Sequence, residues 1–518
     1  MELIMLMLTV NRKKQKIKPM KFQLAIIIVF AFTLFSTSKV CAQNKKPLNI
    51  LVFTADDLDK HSLGCYGGKA EDISPNIDKL AAEGLIFNHA YVNNSICAPS
   101  RGILATGLYG HNSGVMGFMK MSPDCKTPLI MEVVRAHGYK VGVLSKVDHS
   151  TPKESFKWDF VKEQSELGFG RNPDLYYKRA KDFFDMTKKS GKPFYFMVNS
   201  DDPHRPFFEP GQKLTRGMAE PSRIYSPEEI EVPGFLPDLP DVRKELSYYY
   251  NSAKRLDDTF GRVMQALEES GYKENTLVIF MSDSGMAVPF AKCDNYHASN
   301  RTPFIVRWPG VIKQGTINNE NLISEIDYYP TILDALSIKT NGKLDGKSRL
   351  PLYKGKSQKN DAIVFTQIDN KSDGPQAPMR STASPMRGVQ TLDHIYIFNA
   401  WAFTNVIYHN NNEGITMQAM ERAAESDQKI RNRVDLFRRR PLEEFYDLKK
   451  DPGCLINLIS DSDYSKEIQQ KQDELEKWMK KYDDPLLYVY ENRDNKEKIS
   501  DKLYELYPDL KTVDSTNK

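Results

Sequence analysis

The 518-residue chain has few cysteines, only four tryptophans and almost no excess charge. Its six cysteines are spread from Cys41 to Cys454, which excludes the dense disulfide framework of small secreted domains. Lysine and arginine number 72 against 68 aspartate and glutamate, so composition gives no reason to expect a nucleic-acid partner. After the N-terminal segment no apolar run is long enough to span a bilayer, so we expect no stable transmembrane segment. With 40% hydrophobic residues, the chain can bury a large core.

The N-terminal segment has the pattern of a secretory signal peptide. A basic stretch precedes the apolar run Leu24–Phe35, and Ala42 suits signal peptidase cleavage. We therefore predict a leader over residues 1–42, with Met20 as an alternative start, and export to the periplasm or the medium. Cys41 offers a lipid anchor as a less favoured alternative, because Val40 precedes it.

Five short apolar runs alternate with segments of helical periodicity, which predicts a doubly wound α/β domain. The runs are Leu48–Thr54, Lys140–Leu144, Pro193–Val198, Thr276–Met281 and Thr302–Trp308. Ligands of open α/β sheets bind beyond the carboxyl ends of the strands, so polar side chains there should converge on one crevice. The polar residues that follow the first four runs are Asp56, Asp57, Lys146, His149, Asp201, Asp202, His204, Asp283 and Ser284.

Helical periodicity and composition also predict the remaining organisation. The expected helices are Pro75–Glu83, Ile130–His137, Leu246–Ser270 and Ser465–Tyr482. Composition shifts to Gly, Lys and Ser around residues 341–358, so we predict a catalytic domain over 43–357 and a smaller one over 358–518. Alternating runs at 363–368 and 394–398 predict an antiparallel sheet in the second domain. The Pro-rich stretch 207–242 is expected to form an insertion at the rim of the site.

The aspartates are candidate metal ligands. Asp56 and Asp57 are adjacent carboxylates that repel each other unless a cation lies nearby, although an isolated Asp-Asp is more often a loop or a helix start. Asp283 and Ser284 follow another strand and add further oxygens. Oxygen-only ligation selects Ca²⁺ or Mg²⁺ and argues against zinc.

The run Cys97-Ala98-Pro99-Ser100-Arg101 is the most informative motif, although by itself it is equally consistent with a turn before a helix. Arg101 follows Cys97 by four residues, so on a helix it can reach back toward the position of the cysteine. Around a carboxylate-bound metal, basic side chains would neutralise an anionic substrate and protonate its leaving group. The candidates are Arg101, Lys146, His149, His204 and Lys292.

On these motifs the chain resembles the type I, formylglycine-dependent sulfatases of the alkaline phosphatase superfamily, over residues 49–484. The matching stretches are Asn49–Asp57, Leu63–Gly67, Ser74–Asp78, Cys97–Arg101 with Thr106-Gly107, Ser282–Gly285, and Glu443–Asp447 with Asp451-Pro452. The resemblance implies a mixed, mostly parallel sheet sandwiched by helices, with a smaller C-terminal α+β domain. It also implies a sulfuric ester or sulfamate hydrolase whose Cys97 is oxidised to formylglycine by a maturation enzyme.

The resemblance further implies the site residues. Ca²⁺, with Mg²⁺ less favoured, would be bound by residues Asp56, Asp57, modified Cys97, Asp283 and Ser284. Arg101, Lys146, His204 and Lys292 would contact the sulfate. Two departures from the family pattern are Ser284, where a longer side chain is usual, and Lys146-Val147-Asp148-His149, where Lys-X-His is usual and the role of His149 is open. If Cys97 is modified, the other four cysteines of the exported chain could pair.

Within the family, the resemblance is to the N-sulfoglucosamine sulfohydrolase type. It lies in Asp202–Arg205, Gly285–Lys292 and Ser384–Phe403, which are expected to line the rim of the pocket. A sulfated saccharide, such as an N-sulfated glucosamine of heparin or heparan sulfate, is the implied substrate. The alternatives are an O-sulfatase for another sulfated glycan, a phosphate or phosphonate monoester hydrolase, and a glycan-binding protein in which Cys97 stays a thiol.

Overall fold

The computed structural model describes residues 47–358, 363–372, 383–410 and 412–511. The predicted leader, its cleavage site and Cys41 lie outside these residues. Residues Leu48–Lys518 form one compact unit, and of the preceding unit only Pro47 is described. Across the described residues, no helix combines the length and apolarity that a membrane span requires.

The strands are numbered in chain order through the described residues. They are β1 Asn49–Asp56, β2 Leu85–Phe87, β3 Ala90–Tyr91, β4 Gly117–Phe118, β5 Lys140–Leu144, β6 Phe160–Lys162, β7 Phe194–Pro203, β8 Thr276–Ser282, β9 Phe304–Arg307, β10 Thr316–Asn318, β11 Ile323–Ser324, β12 Val364–Ile368, β13 Lys371–Ser372, β14 Met386–Gln390, β15 His394–Asn399 and β16 Glu443–Asp447.

The helices are numbered in the same way. They are α1 Pro75–Ala82, α2 Cys97–Thr106, α3 Gly110–Ser113, α4 Ile130–Ala136, α5 Pro173–Ser190, α6 Pro240–Glu269, α7 His297–Asn300, α8 Tyr328–Ala335, α9 Leu350–Tyr353, α10 Gly414–Ala423, α11 Gln428–Arg438, α12 Ser465–Lys481, α13 Leu487–Glu491 and α14 Lys496–Leu506. Short 3₁₀ turns lie at Lys60–Ser62, Gly64–Tyr66, Gln164–Leu167, Pro227–Glu229, Lys273–Asn275, Glu325–Asp327, Ala400–Phe403 and Ser462–Tyr464.

The central sheet has eight strands in the order β10-β2-β9-β8-β1-β7-β5-β6. All of its pairings are parallel except the two that β9 makes, with β8 and with β2. The mixed, mostly parallel sheet is therefore confirmed. Since every residue of β1 is buried, alternate residues of this strand face two different core clusters. Helices α1, α5 and α6 pack on one face, and α2, α4 and α8 pack on the other.

The C-terminal part contains a four-stranded antiparallel sheet in the order β12-β14-β15-β16. Buried Leu475, Trp478 and Met479 of α12 belong to the same core cluster as Met386 and Val389 of β14. The predicted antiparallel sheet and terminal helix are both confirmed, while the boundary at residue 357 stays a prediction.

Two details of the predicted secondary structure were wrong. The run at Thr302–Trp308 forms the short antiparallel strand β9, because an apolar run signals burial but carries no information on strand direction. Helix α6 begins at Pro240, six residues before the predicted start, with proline in the first turn where its missing N–H costs nothing. By contrast, the strand Lys140–Leu144 is confirmed residue for residue.

Candidate active site

The site is built at the carboxyl ends of the adjacent strands β1 and β8. Asp56 ends β1, Asp57 follows it with φ 72°, and Asp283 follows β8. The backbone N–H of Asp57 donates to Asp283 Oδ1 at 3.2 Å, and that of Leu58 donates to Ser282 Oγ at 2.9 Å. Parallel pairing of the two strands therefore places the three carboxylates side by side, as the sequence predicted.

Helix α2 begins at Cys97 and carries Arg101 on its next turn. Arg101 is fully buried, and its guanidinium pairs with Asp283 Oδ2 at 2.7 Å. Its Nη1 donates to Thr54 Oγ1 and to Asn199 Oδ1, each at 2.6 Å. These contacts attach the first turns of α2, and with them Cys97, to the ends of β1, β7 and β8.

Two lysines place their ammonium groups on the aspartates. Lys146, with φ 45°, forms an ion pair with Asp56 and lies 3.2 Å from Asp201 Oδ1. Lys292 forms an ion pair with Asp57. Because both lysine side chains are largely buried, water screens these pairs weakly.

Both predicted histidines lie near the cluster. His204 Nε2 is 3.9 Å from Asp57 Oδ2, while its Nδ1 lies against the carbonyl of Arg205 at 2.5 Å and donates to it. His149 packs against Phe118, and burial, followed by the charge of Lys146, lowers its pKa to about 3. The ring of His149 is therefore neutral, and its Nδ1 is buried without a hydrogen-bond partner in the described part of the chain.

The Cys97 side chain lies within this field of charges. Burial raises the pKa of its thiol to about 11, and the charges of Lys292, Asp56, Lys146 and Asp283 also act on it. As a cysteine, residue 97 is thus held as a neutral thiol rather than as the thiolate that a cysteine nucleophile requires.

The carboxylates fit a hard cation. Asp56 Oδ1 and Asp57 Oδ2 are buried and receive no hydrogen bond from any described residue. Ligand atoms of Asp56, Asp57 and His204 all lie within 4.8 Å of one another. Burial, followed by the charge of Asp56, raises the pKa of Asp283 to about 7. A divalent ion bound by these oxygens would favour the charged carboxylates.

Ser284 lies within the cluster, whereas Asp202 pairs with cations of other elements. The Ser284 hydroxyl donates to Asp57 Oδ1 at 2.9 Å, so it orients a carboxylate of the cluster. Asp202 lies away from the other carboxylates in a buried ion pair with Arg255, with contacts of 2.7 and 2.8 Å, and Arg171 also approaches it. Asp202 therefore stabilises the fold around the site, while its neighbour Asp201 contacts Lys146 of the cluster.

The sequence interpretation missed several residues that position the site. Glu325 accepts the Ser100 hydroxyl at 2.6 Å and the Asn93 N–H at 3.0 Å, which holds the first turn of α2. Asn199 and Thr54 bind Arg101, as described above. Only their places at the ends of the predicted runs Leu48–Thr54 and Pro193–Val198 could have indicated them, because nothing in the sequence pairs them with Arg101.

The expectation for the Ser384–Phe403 stretch was wrong at Arg387. This side chain is fully buried and pairs with Asp369 and Asp484 at 3.1 and 2.6 Å, so it does not line a pocket rim. The cysteine expectation is also revised, since Cys65, Cys97, Cys125, Cys293 and Cys454 are all free thiols and none of them pairs.

Comparison with known proteins agrees with this geometry. The family model described as Sulfatase matches residues 48–338, more than half of the chain. A human N-sulphoglucosamine sulphohydrolase is 29% identical over 476 residues, covering 85% of this chain and 91% of the relative. An ulvan-active sulfatase from Formosa agariphila is 28% identical over 450 residues, covering 86% and 83%.

Solved structures show the same fold. A protein solved in complex with its substrate D-glucosamine-2-N,6-O-disulfate has a TM-score of 0.62 at 18% identity. The match covers 85% of this chain and 99% of that one. At this identity the likeness supports the fold of the matched part of the chain and no more.

Proposed function

This chain belongs to the sulfatase family, and we propose on that premise that it hydrolyses sulfate groups from a sulfated glycan. The observation that carries the proposal is the convergence of Asp56, Asp57 and Asp283 with Lys146 and Lys292 around residue 97. Negative oxygens for a cation, ammonium groups for an anion and a modifiable cysteine are thereby brought together in one buried cluster.

We propose that Asp56, Asp57 and Asp283 hold one Ca²⁺, with Ser284 orienting Asp57. When bound, the ion would polarise a sulfate oxygen and stabilise the charge that develops on it. Formylglycine at position 97 would supply a geminal diol, a nucleophile that can release sulfate where a thiol cannot. The carboxylate oxygens that receive no hydrogen bond support the calcium site. The buried, neutral thiol of Cys97 supports the need for its modification.

The remaining roles fall to side chains of the cluster. Lys146 and Lys292 would neutralise two sulfate oxygens, and Arg101 would fix the turn that carries residue 97. His204 keeps a proton on Nδ1 through the Arg205 carbonyl, so Nε2 is the nitrogen that would take up the second proton of an imidazolium and pass it to the leaving group. His149, neutral beside Lys146, is proposed to contact the substrate.

For the substrate, we favour the N-sulfated glucosamine of heparin or heparan sulfate fragments, because a relative named for that reaction is 29% identical over most of its length. A second candidate is an O-sulfated glycan, since the ulvan-active relative is nearly as similar at 28%. Export to the periplasm or the medium and the division at residue 357 remain proposals.

The test combines modification and turnover. The full chain is co-expressed with a formylglycine-generating enzyme, and the peptide containing residue 97 is examined by mass spectrometry. Inorganic sulfate release is then measured from N-, 6-O-, 2-O- and 3-O-sulfated saccharides, and phosphate release from a matched ester. We expect formylglycine, sulfate release fastest from the N-sulfated sugar, and loss of turnover in Cys97→Ala but not in Cys125→Ala.

Each alternative has its own signature in this experiment. Faster release of phosphate than of sulfate would identify a phosphate or phosphonate hydrolase. A thiol that persists at residue 97, together with saccharide binding but no turnover, would identify a glycan-binding protein. Turnover by Cys97→Ala at the wild-type rate would overturn the assignment of residue 97.

A further inference from the structure

A second group of cations lines a separate cavity of about 290 Å³. Lys60, from the 3₁₀ turn after β1, and Arg301, directly after α7, both line it. Neither residue belongs to the candidate active site. Lys60 is only 3% exposed, so its charge is largely removed from bulk water.

The two cations converge on one neutral oxygen. The carbonyl of Asn88 accepts Lys60 Nζ at 3.0 Å, Arg301 Nη2 at 2.9 Å and Arg301 Nε at 3.1 Å. No carboxylate of the described residues forms an ion pair with either cation. Buried cations normally have such a partner, whereas Lys60 has only the ring of Tyr66 at 4.9 Å and the more distant charge of Asp59.

The neighbouring histidines do not supply the missing negative charge. Arg301 donates to His297 Nε2 at 3.2 Å and to His89 Nδ1 at 3.3 Å, so both rings act as acceptors. Burial, followed by the charge of Arg301, lowers the pKa of His89 to about 4 and that of His297 well below its usual value. Both rings are therefore neutral near pH 7.

The nearby acidic groups have other partners. Asp59 accepts the His61 N–H at 2.8 Å, and Glu231 pairs with Lys69 at 2.6 Å. Burial, followed by the charge of Arg301, lowers the pKa of Lys60 to about 7. Asp59 lines the cavity and its charge acts against this lowering, but no ion pair holds Lys60; an anion bound beside Lys60 and Arg301 would favour the charged lysine.

Part of the cavity wall is apolar. Phe235, Tyr250 and Met286 line it together with the two cations. Cations beside aromatic side chains suit a charged group attached to a sugar ring, because the ring can pack on the aromatic surface while its anion meets the cations.

We propose that this cavity binds a sulfate group between Lys60 and Arg301, as a binding site separate from the catalytic cluster. The sulfate group has two sources, free inorganic sulfate or the sulfate ester of a saccharide. The proposal concerns binding and does not depend on which sulfated compound the active site hydrolyses.

The first test locates the anion directly. Crystals of the wild-type calcium-loaded protein are soaked in sodium selenate, an isostere of sulfate whose anomalous signal marks its position. We expect a peak between the side chains of Lys60 and Arg301. A catalytic-site peak alone, with an empty cavity, would overturn the proposal.

The second test measures binding in solution by calorimetric titration with sodium sulfate at constant ionic strength. Lys60→Met should remove one binding site or weaken it by about tenfold or more, because a charge-assisted contact is lost. Lys480→Met, which removes an exposed lysine paired with Glu491 away from the cavity, is the matched control and should bind as the wild type. Identical titrations of wild type and Lys60→Met would overturn the proposal.

Glucosamine 6-sulfate and the variant Phe235→Ala separate the two sources. If the ester is the ligand, the sugar should bind the cavity more tightly than inorganic sulfate, and Phe235→Ala should remove that advantage. If free sulfate is the ligand, both compounds should bind equally and Phe235→Ala should have no effect. Failure of both compounds to bind there contradicts the inference, even if the enzyme hydrolyses sulfate normally.

Discussion

Two buried groups of charged side chains in this molecule differ in how many of their donor and acceptor atoms have a hydrogen-bond partner. In the C-terminal part, each of the five N–H donors of Arg387 has an acceptor: Asp369, Asp484 and the carbonyls of Ile368 and Met386. In the active site, Asp56 Oδ1 and Asp57 Oδ2 receive no hydrogen bond from any described residue, although lysines pair with both side chains.

The difference shows how the two groups of charges work. A buried ion pair whose donors and acceptors are all used holds two parts of the chain together, here β14 and the segment after α12. A buried carboxylate with an unused oxygen costs free energy unless a ligand occupies it. The first group is therefore expected to control stability, and the second to control binding and turnover.

The largest effect is expected for Arg387→Met. Asp369 and Asp484 would stay buried without their cation, so the free energy of unfolding should fall by about 3–5 kcal/mol. Sulfate release per folded molecule should not change. Urea unfolding of the calcium-loaded protein measures the first quantity, and an activity assay at low temperature measures the second.

Arg422→Ala is the control for this variant. Arg422 pairs with Asp241 at the surface, where the side chains are 59% and 48% exposed, so its loss should cost less than about 1 kcal/mol. If the two variants unfold at the same urea concentration, the buried network does not stabilise the fold as described here.

The next largest effect is expected for Asp57→Asn, and it should appear in the rate of sulfate release rather than in stability. Loss of this carboxylate removes a cation ligand and the partner of Lys292, so sulfate release should fall by roughly 10²–10³-fold. Calcium should also no longer raise the unfolding temperature, since the ion stabilises only a folded state that binds it. Thermal unfolding with calcium and with chelator measures this second response.

Asp148→Asn is the matched control, because Asp148 lies in the same loop as Lys146 but is exposed and pairs with Lys120. It should keep both turnover and the calcium response. A wild-type calcium response in Asp57→Asn would contradict the assignment of the cation site.

Much of the site could be predicted from the sequence because it depends on which residues directly follow each strand. Strand β5 was predicted residue for residue, and the aspartates at the ends of β1 and β8 were expected to meet. Both inferences needed only that buried strands are apolar and that parallel strands end at one edge.

The rest could not be predicted because it depends on which distant residues meet. Asp202 and Asp201 are neighbours in sequence, yet one pairs with Arg255 of α6 and the other with Lys146. In the same way, Arg387 resembled a pocket residue until Asp369 and Asp484 were found beside it. The order of residues in the sequence does not show which buried charges form ion pairs that stabilise the fold and which ones bind a ligand.

A smaller effect is expected for Ser284→Ala. The hydroxyl of Ser284 only orients Asp57, so its loss should weaken calcium binding by about tenfold without removing it. Calorimetric titration of the chelator-treated protein measures the affinity. Ser284→Thr keeps the hydroxyl and should bind calcium as the wild type does; equal weakening in both variants would mean that packing, not the hydrogen bond, is responsible.

The smallest effect concerns the acid dependence of stability. Burial alone would raise the pKa of Asp484, but Arg387, followed by His111, holds it below the usual value for an aspartate. The folded-state pKa is thus below the unfolded one, so this contribution is complete above the unfolded pKa and is lost as pH falls through the folded pKa. Asp484→Asn should make the free energy of unfolding less dependent on pH between about pH 2 and 5, by at most about one proton. Arg387→Met removes the main cause of the lowered pKa and should flatten the same acid range; an unchanged slope in both variants would show that other carboxylates set it.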